Sequence, residues 1–219
     1  MAKVIIFGTE DFAQLAHFYL THDSGHEVVA FTTHEAYRQV TEFAGLPVLD
    51  FESIEKTHPP DDHLMFVPMS SRKMNQLRAE VYLQAKDKGY RLLSYISSKA
   101  TYYGTPVGEN CFIFENNVIQ PFTEIGNNVI MWSGNHLGHH SRVGDHCFVA
   151  SHVVISGHVL VREHCFLGVN ATISNGLTVA RHTFVGAGAL IAEDTQEYGV
   201  YPGTRAECSK VPSNKLRGI

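Results

Sequence analysis

The chain has 219 residues, 44% of them hydrophobic, which is enough for one large domain or two modest ones with a full core. A formal net charge of -5 offers no basic surface for nucleic acid, and no apolar run is long enough to cross a membrane. The four cysteines form no CxxC pair, and MAKVIIFG enters a strand at once without the features of a secretory signal, so the expected compartment is the cytoplasm.

In chain order, Lys3 to Phe7 (KVIIF) predicts a buried strand, GTEDFA (8 to 13) a turn, and the following residues an amphipathic helix through about Tyr19. Glu27 to Phe31 predicts a second strand. Residues 34 to 60 divide into a loop with a short helix (HEAYRQVTEFAG), a strand (PVLDF) and a helical turn (ESIEKTH) before Pro59 and Pro60. Leu64 to Val67 is a third core strand. Arg72 to Lys88 predicts a helix with Met74, Leu77, Val81 and Ala85 on its inner face, ended by Gly89. Tyr90 to Ile96 is a last strand.

Residues 1–100 therefore predict a small Rossmann-like α/β domain. Gly8 followed at a distance by Ala13 is only a fragment of a dinucleotide fingerprint and makes no NAD site. The topology still places a ligand crevice at the carboxyl ends of the strands. Its candidate lining is Gly8, Thr9, Glu10 and Phe12 after the first strand, Thr32 and Thr33 after the second, and Ser70 after the third.

From Val107 the pattern changes to a period of six. Every sixth residue from Val107 to Ile191 is aliphatic or Met, through fifteen consecutive blocks without insertion. Six fits neither a helix nor an ordinary half-buried strand, but it fits a short strand followed by a tight corner. The fifth position is small or apolar (Cys111, Thr123, Val129, Ser141, Cys147, Val153, Val159, Cys165, Ala171, Thr183, Ala189) and predicts a second inward side chain. Thirteen of the fifteen fourth positions hold Asn, His or Gly, types that tolerate a left-handed backbone, and predict the corner. The three repeat cysteines are thus inward thiols rather than ligands, nucleophiles or disulfide partners.

These blocks resemble the hexapeptide repeats of acyltransferases that fold as a left-handed parallel β-helix. Three blocks make an 18-residue coil, so fifteen make about five coils, ~24 Å of prism at the usual strand spacing. Left-handedness is implied by the resemblance alone, since parallel crossovers are otherwise right-handed. An α/β domain followed by such a prism over residues 101–219 is similar to bacterial sugar-nucleotide acetyltransferases of the bacillosamine and perosamine N-acetyltransferase type, and to sialic-acid O-acetyltransferase-like proteins. GNHLGHHSRVGDH (134 to 146), FLGVNATI (166 to 173) and FVGAGALI (184 to 191) carry most of that likeness.

Eight of the fourteen histidines lie between residues 136 and 182, and six of them occupy the corner position. His139, at the third position, and His136, at the sixth, leave the pattern. The resemblance implies that His139 is a general base, a role suited to an imidazole near neutral pH. The family usually follows this base with Glu or Asp, whereas this chain has His140, which can fix the tautomer of His139 but supplies no negative charge.

The resemblance further implies acetyl-CoA as co-substrate, its arm lined by Phe148, Gly168, Val169, Gly186 and Ala187. It implies a nucleotide-linked amino sugar on the N-terminal domain, His136 and Trp132 near it, a homotrimer with intersubunit slots, no metal, and a place in surface-glycan synthesis such as lipopolysaccharide O-antigen. Trp132 is open to two readings, a ring packed between coils or a wall of the site. Sugar O-acetylation on the same scaffold is the alternative chemistry. A γ-carbonic-anhydrase-like zinc enzyme is a further one, disfavoured because no two repeat histidines are five residues apart.

Overall fold

A computed structural model describes residues 1–215. The N-terminal unit is a six-stranded sheet built from β1 (Lys3–Phe7), β2 (Glu27–Thr33), β3 (Glu42–Phe43), β4 (Leu46–Asp50), β5 (His63–Phe66) and β6 (Arg91–Leu92), in the order β3-β4-β2-β1-β5-β6. Every pairing is parallel except β3 with β4. Val4 to Phe7 are buried, as an unbroken apolar strand covered on both faces should be. The order reverses around β1, the place where sheets of this kind leave a crevice beyond the carboxyl end. Two helices, α1 (Asp11–His22) and α2 (Gln76–Asp87), complete the unit, with a 3-10 turn at Phe51–Lys56 where ESIEKTH predicts a helical turn.

Helix α2 begins four residues later than predicted. Lys73, Met74 and Asn75 carry φ values of 51°, 51° and 66°, a left-handed turn closed by a hydrogen bond from Asn75 N to Ser71 O. Such a turn is costly for L-residues and needs support from elsewhere. Support comes from the second unit, because the Asn75 side-chain amide donates to Cys165 O at 3.2 Å. The buried face of α2 also differs from the predicted stripe: Arg78, Ala79, Val81, Tyr82 and Ala85 face inward.

The repeat forms a parallel β-helix with two-residue strands. Each strand pairs with the one 18 residues on, as in Phe112↔Ile130, Val118↔His136 and Glu124↔Arg142. From Ile113 to Ile191 every first-position side chain is at most 4% exposed, and all eleven predicted fifth-position residues are buried. All thirteen predicted corner residues adopt positive φ, between 55° and 79°. Phe122 does so as well, at 65°, which an aromatic residue gave no reason to expect.

The prism is longer than the six-residue count reaches. Tyr95–Ile96 pairs with Phe112–Ile113 and Thr101–Tyr102 with Val118–Ile119, both 17 residues apart, and Val200–Tyr201 pairs with Phe184–Val185 at 16. The boundary predicted after residue 100 therefore falls inside the first coil, and the predicted last strand of the α/β unit ends at Leu92 before its chain enters the prism.

The three faces of the prism differ. One is covered by the N-terminal unit: Phe112, Phe114, Ile130, Phe148 and Ala150 share a core cluster with Ala13, Ala16 and Leu20 of α1. The second presents Val118, His136, Val154, Thr172 and Leu190, and the third Glu124, Arg142, Leu160 and Thr178. We call them the covered, apolar and charged faces.

Arg78 clamps the two units together. Its guanidinium is fully buried and donates to Met69 O and Ser70 O on its own side, and to Asn128 O, His146 O and Cys147 O on the prism, at 3.1 to 3.4 Å. Burial lowers its pKa to about 10, still charged at neutral pH, and carbonyl dipoles take the place of a counter-ion. Arg78→Met is expected to leave those carbonyls short of donors and cost about 3 kcal/mol, lowering the melting temperature by roughly 6–12 °C in a calorimetric scan. Arg78→Lys should not restore it, since one ammonium cannot span the fork.

Candidate active site

The corner between the apolar and charged faces stacks Phe122, His140, His158 and Gly176 at intervals of 18. Left-handed backbone turns these side chains out of the prism. The His140 and His158 rings lie face to face, 4.9 Å apart and inclined by 14°, with Phe122 on the other side of His140 at 4.8 Å. His139 is exposed and crosses this stack edge-on, 5.2 Å from His140 and 5.1 Å from His158.

The two nitrogens of His139 have different surroundings. Nδ1 is 3.1 Å from His140 Nδ1, close enough for one hydrogen bond between the rings. A proton on His139 Nδ1 that is donated to His140 leaves a lone pair on Nε2, the tautomer a base requires. No carboxylate hydrogen-bonds either ring among the described residues. Nε2 and Cε1 lie over Gly157, one coil on: a Cβ there would come within 2.8 Å of both atoms. The backbone of the same corner is held by Gln120, whose Oε1 accepts from His139 N at 2.8 Å.

Gly157 and Gln120 are functional candidates that sequence reasoning missed, and so is the closeness of the His158 ring to the His139–His140 pair. Counting 18 from His139 and His140 would have found Gly157 and His158. The six-residue count classed His158 with the other corners, and in space one ring nitrogen from each of His139, His140 and His158 lies within 4.8 Å of the others.

The expected cofactor strip lies elsewhere on the chain. Gly168, Val169, Gly186 and Ala187 line the corner between the covered and apolar faces, so the width of the apolar face separates them from His139. Val169 and Ala187 are exposed. Gly168 and Gly186 are buried, and their lack of a side chain has a packing cause: a Cβ would lie 2.7 Å from Ala187 N or 2.8 Å from Gly203 N in the next coil. Phe148 corrects the expectation outright. It is 7% exposed, stacked on Phe166 at 5.4 Å and packed against Phe12 beneath the N-terminal unit, and so faces no open groove on this chain.

The structure gathers part of the predicted substrate lining. Gly8 has φ 108° and donates to Thr32 O at 2.7 Å, which shapes the turn carrying Thr9 and Glu10. Arg72, beside Ser70, reaches Glu10 at 3.9 Å and so joins the loops after β1 and β5. Phe12 meets Trp132 edge to face at 5.6 Å, and Trp132 stacks on Phe114 at 4.7 Å, so the packed reading of the indole holds, at the seam of the two units. Thr32 and Thr33 correct the other expectation. Both are buried in β2, and the Thr32 hydroxyl donates to Leu49 O. Beyond them His34 takes the outer, half-buried place, its Nδ1 2.8 Å from Glu52 Oε1. His136 is half-buried between Val118 and Val154 on the apolar face.

Comparison with known proteins agrees with this architecture. The family described as bacterial transferase hexapeptide (six repeats) matches residues 123–157. Perosamine N-acetyltransferase from Caulobacter crescentus, solved with CoA and GDP-perosamine, superposes with a TM-score of 0.81 at 25% identity, over 91% of this chain and 93% of that one. The acetyltransferase domain of PglB from Neisseria gonorrhoeae superposes with a TM-score of 0.79 at 19% identity, over 91% and 96%. The second likeness shows a shared fold, and both fit the left-handed prism expected from the repeat. No curated protein matches the chain in sequence. Repeat and fold together agree with the expected likeness to hexapeptide-repeat acyltransferases.

The notch at Gly157 gives a direct test. Gly157→Ala is expected to push the exposed His139 ring aside, leave the melting temperature nearly unchanged, and lower acyl transfer by about 100-fold through misplacement alone. Steady-state kinetics beside a thermal melt would show the separation.

Proposed function

We propose that this hexapeptide-repeat acyltransferase moves an acetyl group from acetyl-CoA to the amino group of a nucleotide-linked amino sugar, with His139 as general base. The observation that carries the reading is the His139 ring, exposed at a corner, with Nδ1 against His140 and Nε2 over the Gly157 notch. The likeness to an enzyme solved with CoA and GDP-perosamine supports the choice of both substrates.

In this reading His139 Nε2 takes a proton from the sugar amine as the nitrogen attacks the thioester carbonyl. His140 holds the other nitrogen, fixing the tautomer in place of a carboxylate. Backbone N–H groups of the slot donate to the carbonyl oxygen as negative charge builds there. The C–S bond breaks, CoA leaves as thiolate, and the proton on His139 is available to neutralise it. No acyl-enzyme forms. Cys111, Cys147 and Cys165 are buried inside the prism, and burial pushes the Cys111 thiol up to about 12, so none is an accessible nucleophile. An amine makes a smaller demand on the base than a hydroxyl does. A base supported by an imidazole alone therefore favours N- over O-acetylation.

The nucleotide would occupy the crevice of the Rossmann-like unit near Gly8 to Glu10 and Ser70, with Trp132 buttressing its prism side and His136 on the way to the base. One chain cannot bring His139 to the Val169 and Ala187 strip, since these flank opposite edges of the apolar face. A trimer can, by setting the His139 corner of one protomer against the other corner of its neighbour. The apolar face suits such burial: Val118 is 37% exposed, Val154 39% and Leu190 67%. Both substrates are cytoplasmic metabolites in this scheme, and no helix among the described residues is long and apolar enough to cross a membrane. The N-acetylated product would feed surface-glycan assembly such as O-antigen synthesis.

His139→Asn is expected to lower kcat by about 100- to 10,000-fold with an unchanged melt, read as thiol release on GDP-, dTDP- and UDP-linked amino sugars. Transfer at the native rate would remove His139 from the role of base. Val154→Arg is expected to convert a trimer to monomers in light scattering and abolish transfer, whereas a native protein that is already monomeric would remove the slot.

A further inference from the structure

The corner that holds the base also holds a metal-ligand set. His139, His140 and His158 each offer a ring nitrogen within 4.8 Å of the others, all three are exposed, and no ion pair engages them among the described residues. The closest approach, 3.1 Å between the Nδ1 atoms of His139 and His140, is near the roughly 3.3 Å that two nitrogens keep on a tetrahedral zinc ion. His158 is brought to within reach by stacking on His140, and both rings project from left-handed corners that fix their direction. Three imidazoles with one open position suit a borderline divalent cation such as zinc, which water would complete.

We infer that His139, His140 and His158 bind a zinc-type divalent cation that switches the base off. The argument is one of tautomers. A cation on His139 Nδ1 takes the lone pair of that nitrogen and displaces the hydrogen bond to His140. The ring proton must then reside on Nε2, which faces the Gly157 notch as a donor and can no longer accept a proton. Binding and catalysis thus compete for the same imidazole. The switch rests on the proposed role of His139, but the binding site does not.

His158 is the residue to change, because it has no part in the proposed chemistry. Its corner takes φ 58°, which Asn tolerates, as at Asn128 and Asn170 of this chain. Chelator-stripped full-length protein would be titrated with zinc alone against a chromophoric zinc chelator, comparing native protein, His158→Asn and the distant corner variant His152→Asn. About one zinc per chain is expected in the native and His152→Asn proteins, with affinity at least about tenfold weaker in His158→Asn. In the thiol-release assay, zinc should inhibit the native enzyme reversibly by chelator, and His158→Asn should keep its metal-free rate and resist inhibition. No zinc binding, or binding unchanged in His158→Asn, overturns the site. Zinc bound through His158 without inhibition overturns the switch, while the role of His139 as base stands or falls on the His139→Asn kinetics.

Discussion

The structure depends on one constraint, the stacking of equivalent side chains every 18 residues along a parallel β-helix. Each two-residue strand hydrogen-bonds to the coils on either side, so a coil has little independent stability and the register of one fixes the next. Aliphatic side chains fill the axis, and left-handed corners turn the chain three times per coil. The same constraint builds ladders on the outside. His146, His164, His182 and Tyr198 stack along one corner at 4.7 to 4.8 Å. Burial brings the pKa of His146 down to about 4, which keeps that end of the stack uncharged at neutral pH and spares it repulsion from His164.

The His139 corner is a variation on those ladders rather than an addition to them. One residue out of pattern, His139, places an imidazole beside a stack that the repeat makes anyway. One glycine a coil away, Gly157, leaves room for it. The N-terminal unit is fixed to the prism by Arg78 and by α1, whose end is tied to the first coil through Asp23, which accepts from the Tyr95 hydroxyl at 2.5 Å and from Ser98 N at 2.9 Å. These contacts hold the loop after β1 in a set relation to the prism.

Periodicity made the prism legible because the rule is dense: every sixth residue must be apolar and every corner must tolerate positive φ. It failed where the period slips, at the 17-residue spacing of Tyr95 with Phe112 and the 16-residue spacing of Phe184 with Val200. His139 was legible as an exception to the beat. Gly157 and His158 were not, because their meaning lies in what stacks on them. Phe148 read as a groove residue because the sequence shows an outward position but not that the N-terminal unit covers that face. Arg78 was not legible at all, since nothing local signals that carbonyls from residues 50 and more positions away will surround it.

The account comes down to where a thioester would lie. A crystal structure of the protein with CoA bound would test it most directly. The sulfur is predicted to lie within about 4 Å of the His139 ring, over Gly157, in a slot whose other wall is Val169 and Ala187 of a neighbouring protomer. CoA bound along the charged face, or against a single protomer with its sulfur remote from His139, would contradict it.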